Sequence, residues 1–364
     1  MASNWQFATG DAQTVKKFSK KFQIDSAADS FWPGLIQTIK GQDIEQIAKA
    51  NMARNVVLRY TDLQGAENRG DTVTLYNAAQ LTTAPFYGDV VVAGNGAQIS
   101  TYTQNASIDQ VAQSVRSDGR LSEKRMLMDF RDTGNALLGD WANVFIDETF
   151  TIALAGESTF VNTYNNYTSG AFSSIMNTSL NAFTSANITY AGNATTNATA
   201  ANQGNIVTAQ LLTKLKISAK QRSLPLKKLK GLPSGAQFIY LDDENLELQL
   251  AYDSDWSARQ SQGNSRGADN PSLTNSIGSF GGVECICFER AFRPISNVAY
   301  GMLLGAGALH FVEAENWQWF EGKEDNDRKK VIMVSAMFGI TSAFVNSTRR
   351  NAILVPHYVG VAGI

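Results

Sequence analysis

GRLSEKRMLMDFRDTGNALLGDWANVFIDETFTIALAG, residues 119–156, is the stretch from which the rest of the chain is read. Leu127, Phe130, Gly134, Leu137, Trp141, Val144 and Ile152 recur at the spacing that puts side chains on one helical face. Ser122 is the candidate N-cap, because its hydroxyl can accept from an orphan amide of the first turn, and Gly156 is the candidate stop. One helix over these residues would run ~50 Å, against a radius of gyration of ~21 Å for a compact chain of this size. The sequence therefore predicts a helix that crosses nearly the whole molecule.

Upstream, residues 55–109 alternate β-rich runs (VVLRY, DTVTLY, DVVVAG, QISTYT) with Gly65, Gly70, Pro85, Gly88, Gly94 and Gly96. An extended hairpin system follows. Thr72 to Tyr76 and Ala97 to Thr103 are polar at alternate positions, as in a ribbon covered on one face. Pro85, Phe86 and Tyr87 sit at a turn with little apolar surface of its own, which marks them as contact residues for a neighbour. Before the ribbon, the first 45 residues combine Lys16, Lys17, Lys20 and Lys21 with Phe18, Phe22, Phe31 and Trp32, without sustained periodicity. That pattern reads as an arm whose aromatics must be buried elsewhere.

Downstream, Ser158 to Thr213 holds no Asp, Glu, Lys or Arg, and 27 of its residues are Asn, Thr or Ser. It reads as a compositional insertion, ordered and lying at an outer surface or a subunit contact. Thr208 to Arg222 then reads as a helix, GAQFIYLDD as a buried strand entering an acid-capped helix that runs through Asp253, and GGVECICFE as another strand. WQWFEG and KKVIMVSAMFGIT form strands around the charged turn KEDNDRKK, and NAILVPHYV supplies the last strand. The order is α+β.

The chain has 364 residues, beyond the ~250 at which one core usually stops growing, so about two subdomains are expected. Lys plus Arg total 31 and Asp plus Glu 33, giving a net charge of −2, which excludes a protein that coats duplex DNA by a general positive field. Charged residues make up only 18%, leaving a neutral polar surface that is cheap to desolvate in subunit contacts. The N-terminal residues lack the apolar core of a signal peptide, and the run Val331 to Val345 is too short to span a bilayer as a helix. A soluble protein made in the cytoplasm is expected, with no membrane partner.

No pattern marks a catalytic centre. The glycine pairs at Gly94 and Gly305 lack the third glycine of a dinucleotide fingerprint, and His310 and His357 lie in apolar runs without a nucleophile motif, as core or interface histidines do. Cys285 and Cys287 are too close along a strand for an unstrained bridge. Two thiols and two distant histidines do not complete a structural zinc site, so neither metal nor cofactor is expected.

Charge segregates in one region. Lys214, Lys216, Lys220, Arg222, Lys227, Lys228 and Lys230 come without an acid between them, and Asp242, Asp243, Glu244, Glu247, Asp253 and Asp255 without a base. Solvated faces or an intramolecular match would account for this; so would head-to-tail pairing around a ring, the basic flank of one copy meeting the acidic flank of the next.

The order of several short segments resembles a known family, the major capsid proteins of tailed phages of the N-four-like podophage type, which share the Hong Kong 97 fold. The segments are GDTVTLYNAAQL from Gly70, FYGDVVVAGN from Phe86, SIDQ from Ser107, GRLSEKRMLMDFRDTGNALLGDWANVFID from Gly119, FIYLDDENLELQL from Phe238, DNPSLTNSIGSFGGVECICFE from Asp269 and MLLGAGAL from Met302. The resemblance implies an N-terminal arm (1–54), an E-loop with flanking strands (55–110), a P-domain with its spine helix (111–157), an A-domain (205–310) and returning P-domain strands (311–364). The uncharged insertion (158–204) and NGAQ after Gly94 depart from the family pattern. It further implies a non-enzymatic shell protein that forms pentamers and hexamers of an icosahedral virion head around double-stranded DNA, with portal and decoration or cement proteins as partners. Two other readings stand beside it, a cellular nanocompartment shell of the same fold and a glycan-binding surface protein.

Overall fold

The computed structural model describes residues 31–39, 55–60, 70–78, 85–89, 101–119, 129–156, 185–222, 225–230, 235–263, 277–288, 297–326, 328–345 and 348–360, with isolated positions that include Phe22 and Ile175. Its strands are β1 (Ile36–Ile39), β2 (Val57–Tyr60), β3 (Thr72–Ala78), β4 (Thr101–Ser107), β5 (Asp109–Arg116), β6 (Phe238–Asp242), β7 (Gly278–Phe280), β8 (Val283–Cys287), β9 (Val298–Leu304), β10 (Leu309–Glu324), β11 (Lys329–Ser342), β12 (Phe344–Val345), β13 (Thr348–Arg349) and β14 (Ala352–Tyr358). Its α-helices are α1 (Phe130–Ala155), α2 (Asn197–Ala200), α3 (Ala209–Gln221), α4 (Asn245–Tyr252) and α5 (Ser254–Gly263).

Two five-stranded sheets carry the architecture, in the orders β1-β2-β10-β11-β5 and β14-β9-β6-β8-β7. In the first, the long antiparallel hairpin of β10 and β11 turns at Asp325 and Asn326, both at positive φ, within the predicted charged turn. Asn and Asp tolerate that backbone better than bulkier residues do. β2 runs parallel to β10 and β5 antiparallel to β11, so the N-terminal third of the chain closes on its C-terminal hairpin. In the second sheet β6 is central and fully buried, parallel to β8 and antiparallel to β9. β3 and β4 form a separate ribbon, with Leu75 and Ala106 buried on one face and Thr72, Thr74, Thr103 and Asn105 exposed on the other.

The helix predicted from Ser122 starts later. Asp129 holds extended backbone (φ −68, ψ 129) and accepts a hydrogen bond from Arg131 N at 2.9 Å, so it, and not Ser122, is the N-cap. Lys124 and Arg125 lie in a separate helical turn before the break. The single continuous helix is therefore corrected to a preceding turn and a 26-residue α1, ~39 Å long at ~1.5 Å per residue. Its inward stripe is also shifted from the predicted one. Leu138, Ala142, Phe145 and Ile152 are buried; Phe130, Trp141 and Val144 are half-buried; Leu137, expected inside, is 55% exposed. Leu127 and Ser122 lie outside the described residues. α1 packs on the first sheet through aromatic contacts, with Trp141 edge-on to Trp317 at 5.9 Å and Phe150 edge-on to Phe311 at 5.3 Å, while Trp141 and Phe145 stack within the helix at 5.2 Å.

Of the arm's aromatics, Phe22 and Trp32 find their burial within this chain, Phe31 is half-buried, and Phe18 lies outside the described residues. Phe22 meets Trp317 edge-on at 5.9 Å, and Trp32 lies 5.9 Å from Phe150, both rings fully buried. Phe31 N donates to both carboxylate oxygens of the buried Asp147 on α1, at 3.2 and 3.3 Å. Lys16, Lys17, Lys20 and Lys21 lie outside the described residues.

The described part of the uncharged segment packs on β14: Thr189 N donates to Leu354 O at 2.9 Å and Ala191 N to Pro356 O at 3.1 Å. Its neutral side chains satisfy backbone groups there. Thr196 and Thr199 form a reciprocal cap on α2, and Asn205 accepts from Asn193 N at 3.0 Å while donating to Thr199 O at 2.6 Å. A segment of Asn and Thr can thus order itself without ion pairs.

Candidate assembly surfaces and buried polar clusters

α3 is amphipathic as its sequence predicts. Leu211, Leu212, Leu215 and Ala219 face the second sheet, while Lys214, Ile217 and Lys220 are exposed. Thr208 caps it through its hydroxyl, accepting from Leu211 N at 3.3 Å. The outer face, from Gln210 to Arg222, lines a shallow groove of about 500 Å³ in which Ile217 is 48% exposed.

The acidic stretch is not one continuous surface. Asp253 accepts from Ala209 N at 2.6 Å and Asp255 from Gln210 Nε2 at 3.1 Å, so both serve the N-terminal end of α3, where a carboxylate complements the helix dipole. Asp242 is fully buried and cannot meet a neighbour, a correction to its assignment as a contact. Burial occurs because β6 is central, with strands on both sides and helices over one face. Asp243 is half-buried and bonded to Asn245, while Glu244 and Glu247 are exposed.

The basic stretch divides the same way. Lys216 donates to Gly281 O, Arg222 donates to Asn187 Oδ1 at 2.6 Å, and Lys227 is half-buried. Burial, with Arg350 nearby, lowers Lys227 to about 8. Lys214, Lys220, Lys228 and Lys230 remain exposed. Among the described residues no ion pair joins the basic to the acidic stretch. Close to the acids, α4 exposes Leu248 (42%) and Tyr252 (61%).

Pro85, Phe86 and Tyr87 are all exposed, Tyr87 at 76%. They fall in the sequence between β3 and β4, and that ribbon is tied to the C-terminal hairpin by Gln104, which donates to Thr341 Oγ1 at 2.5 Å and Ser342 O at 2.7 Å and accepts from Phe344 N at 3.1 Å.

Behind these surfaces lies a buried polar cluster that sequence reading missed. Tyr240 donates to Asp242 Oδ2 at 2.8 Å, Asp243 N donates to Oδ1 at 2.9 Å, and His357 Nε2 stands 3.6 Å from Oδ2. Desolvation pushes Asp242 up to about 7 and His357 down to about 4. Nothing in the spacing of residues 242 and 357 signals the meeting. Cys285 and Cys287 are free thiols, and burial pushes Cys287 up to about 12.

His310 is a core histidine, with its Nδ1 3.0 Å from the Tyr60 hydroxyl, and burial followed by the charge of Lys227 lowers it to about 3. A depressed folded value means that its stabilising contribution is present above the ordinary 6.5 and is lost as pH falls toward 3. His310→Gln should therefore flatten the loss of stability between those values, where one proton per molecule is worth ~1.4 kcal/mol per pH unit. Urea midpoints measured across that range check it; an unchanged slope would exclude His310 as a source of acid lability.

Against known proteins, the family model described as phage capsid protein matches residues 6–296. The chain belongs to the phage capsid protein family. The major capsid protein of Pseudomonas phage KPP25 is 24% identical over 316 residues, 79% of this chain and 81% of the relative. The solved capsid of Ralstonia phage GP4 has a TM-score of 0.70 at 20% identity, and the capsid asymmetric unit of cyanophage Pam1 0.68 at 16%, each aligned over 92% of both chains. The fold of this capsid protein is thus the α+β, Hong Kong 97-type fold that the motif order implies. The phage capsid family is structural, not enzymatic, and places the chain in the virion. No described helix is long and apolar enough to cross a membrane.

Proposed function

We propose that this capsid protein self-assembles into the pentamers and hexamers of an icosahedral head enclosing double-stranded DNA. The observation that carries this reading is the pair of exposed aromatics Phe86 and Tyr87, which fall in the sequence between the strands of the ribbon that Gln104 ties to the C-terminal hairpin. Exposed rings in that position gain their burial from another copy. In this reading residues 1–54 are the arm, 55–110 the E-loop with its flanking strands, 111–157 and 311–364 the P-domain, 158–204 an inserted surface segment and 205–310 the A-domain. The near-neutral charge suits a container that must not grip its DNA tightly, and portal and decoration proteins would complete the head. The match to phage capsid proteins favours this reading over a cellular nanocompartment, and an α+β shell fold favours it over a glycan-binding surface protein.

Phe86→Ser with Tyr87→Ser should leave the soluble chain folded but abolish closed shells in negative-stain micrographs. Normal particles from the double variant would count against the tip as an intersubunit contact. Around the capsomer axis, the exposed Lys214, Lys220, Lys228 and Lys230 would face Glu244 and Glu247 of the next copy. Exposed pairs are worth only ~0–1 kcal/mol each and are screened beyond ~8 Å at physiological salt, so raising salt should slow assembly while leaving finished shells intact. Light-scattering traces that do not change with salt would remove the charges from the assembly step.

A further inference from the structure

On one face of the second sheet, Asp242 from β6 and His357 from β14 meet although β9 runs between their strands. The intervening strand carries Gly301 at that point. A Cβ there would stand 2.5 Å from Asp242 Oδ2 and 2.0 Å from the Tyr240 hydroxyl, so the absent side chain is the space in which the polar groups meet. Any other residue at 301 would close it.

The tautomer of His357 follows from its surroundings. Nδ1 lies 3.3 Å from Val355 O, which can only accept, so Nδ1 carries the proton and Nε2 the lone pair. Nε2 is fully buried and has no hydrogen-bond partner; it faces Asp242 Oδ2 at 3.6 Å, too far for a hydrogen bond. Two ligands of a tetrahedral zinc with bonds of ~2.0–2.1 Å stand ~3.3–3.4 Å apart. Asp243 offers a third atom, and the three ligand atoms lie within 4.8 Å of one another.

The hydrogen bonds around these side chains are those that orient metal ligands. Tyr240 donates to Asp242 Oδ2 at 2.8 Å and Asp243 N to Oδ1 at 2.9 Å. Asn245 donates to Asp243 through its backbone N at 3.0 Å and its Nδ2 at 2.6 Å, and the backbone carbonyl of Val355 holds the far side of the imidazole. We infer that Asp242, Asp243 and His357 form a site for one divalent transition-metal ion of the zinc class, which would tie β6 to β14 across Gly301. One nitrogen and two carboxylate oxygens are a borderline donor set that zinc accepts, with a fourth position left for water.

The test uses the full chain, stripped by a chelator, exposed to zinc chloride and desalted. Wild type should retain about one zinc per chain, and its melting temperature should rise with zinc and fall back with chelator. Asp243→Asn and His357→Gln should lose both effects, and Tyr240→Phe should weaken zinc binding about 10–100-fold by removing an outer hydrogen bond. Asp243 is half-buried, so its Asn variant carries the test even where the His357 variant fails to fold. Folded wild type that retains no zinc, or an Asp243→Asn chain that retains as much as wild type, would overturn the site. Neither result depends on whether shells form.

Discussion

Arg349→Met should destabilise the unassembled chain by ~3 kcal/mol or more and fray the C-terminal end of α1, each charge-assisted hydrogen bond being worth ~1.5–3 kcal/mol. A helix ends in carbonyls without intrahelical partners, at the negative pole of its dipole. α1 has no basic residue in its last turn. Gly156, in left-handed backbone at φ 76, bonds Ile152 O at 2.8 Å, and Ser342 Oγ donates to Ala153 O. The charge comes from far along the chain: Arg349, 5% exposed, donates to Ala153 O at 3.4 Å and to Leu154 O, with the Phe183 ring 4.5 Å from its guanidinium carbon. Burial lowers its pKa to about 10, which still leaves it charged at neutral pH. Arg349→Lys should fall between, since it keeps the charge but not the planar fork. Urea midpoints and amide exchange at residues 152–156 measure the effect. A loss below ~0.5 kcal/mol, as for an ordinary surface change, would show that Ser342 and Gly156 suffice.

Trp32→Ala should cost ~3–5 kcal/mol and release the segment before β1. The Trp32 ring is fully buried between Phe31 at 5.2 Å and Phe150 at 5.9 Å, and Phe31 continues the stack onto Phe288 at 4.6 Å. Removing the indole leaves a cavity beside Phe150 of α1, which cannot collapse without moving the helix. Trp32→Phe should cost much less, because the buried Nε1 makes no hydrogen bond that would be lost. Limited proteolysis before residue 36, with urea midpoints, separates the two variants. Equal protection in Trp32→Ala and wild type would mean that Phe22 on Trp317 holds the segment alone.

Elements whose signals are local were legible in the sequence. α3 begins at the N-cap Thr208 and ends at Arg222 as expected, and the β10–β11 turn falls within KEDNDRKK. α1 was misread at its start because apolar spacing continues upstream through Leu127, so periodicity alone does not reveal that Asp129 breaks the backbone. The same upstream residues set the phase of the predicted stripe and put Leu137 inside, where Leu138 belongs. The charge flanks were visible as composition, but their division into exposed and committed groups was not. Asp242 looks like any acid after a strand until β6 is known to be central, and its meeting with His357 depends on the absent side chain of Gly301. Long-range geometry of that sort leaves no local trace.

The pairing of β2 with β10, Val57 opposite Leu309, also sets a timetable for the chain at the ribosome. At ~5–20 residues per second, some 250 residues take ~12–50 s to emerge. For that interval Val56 and Val57, and for the shorter one that follows its own synthesis the apolar face of α1, have no hairpin to cover them, since β10 and β11 are not yet made. A nascent chain halted before residue 309 therefore exposes sticky surface whatever its local helices do, and it is a natural client for chaperones. Fragments ending before β10 should be insoluble for the same reason, however well their local sequence favours structure.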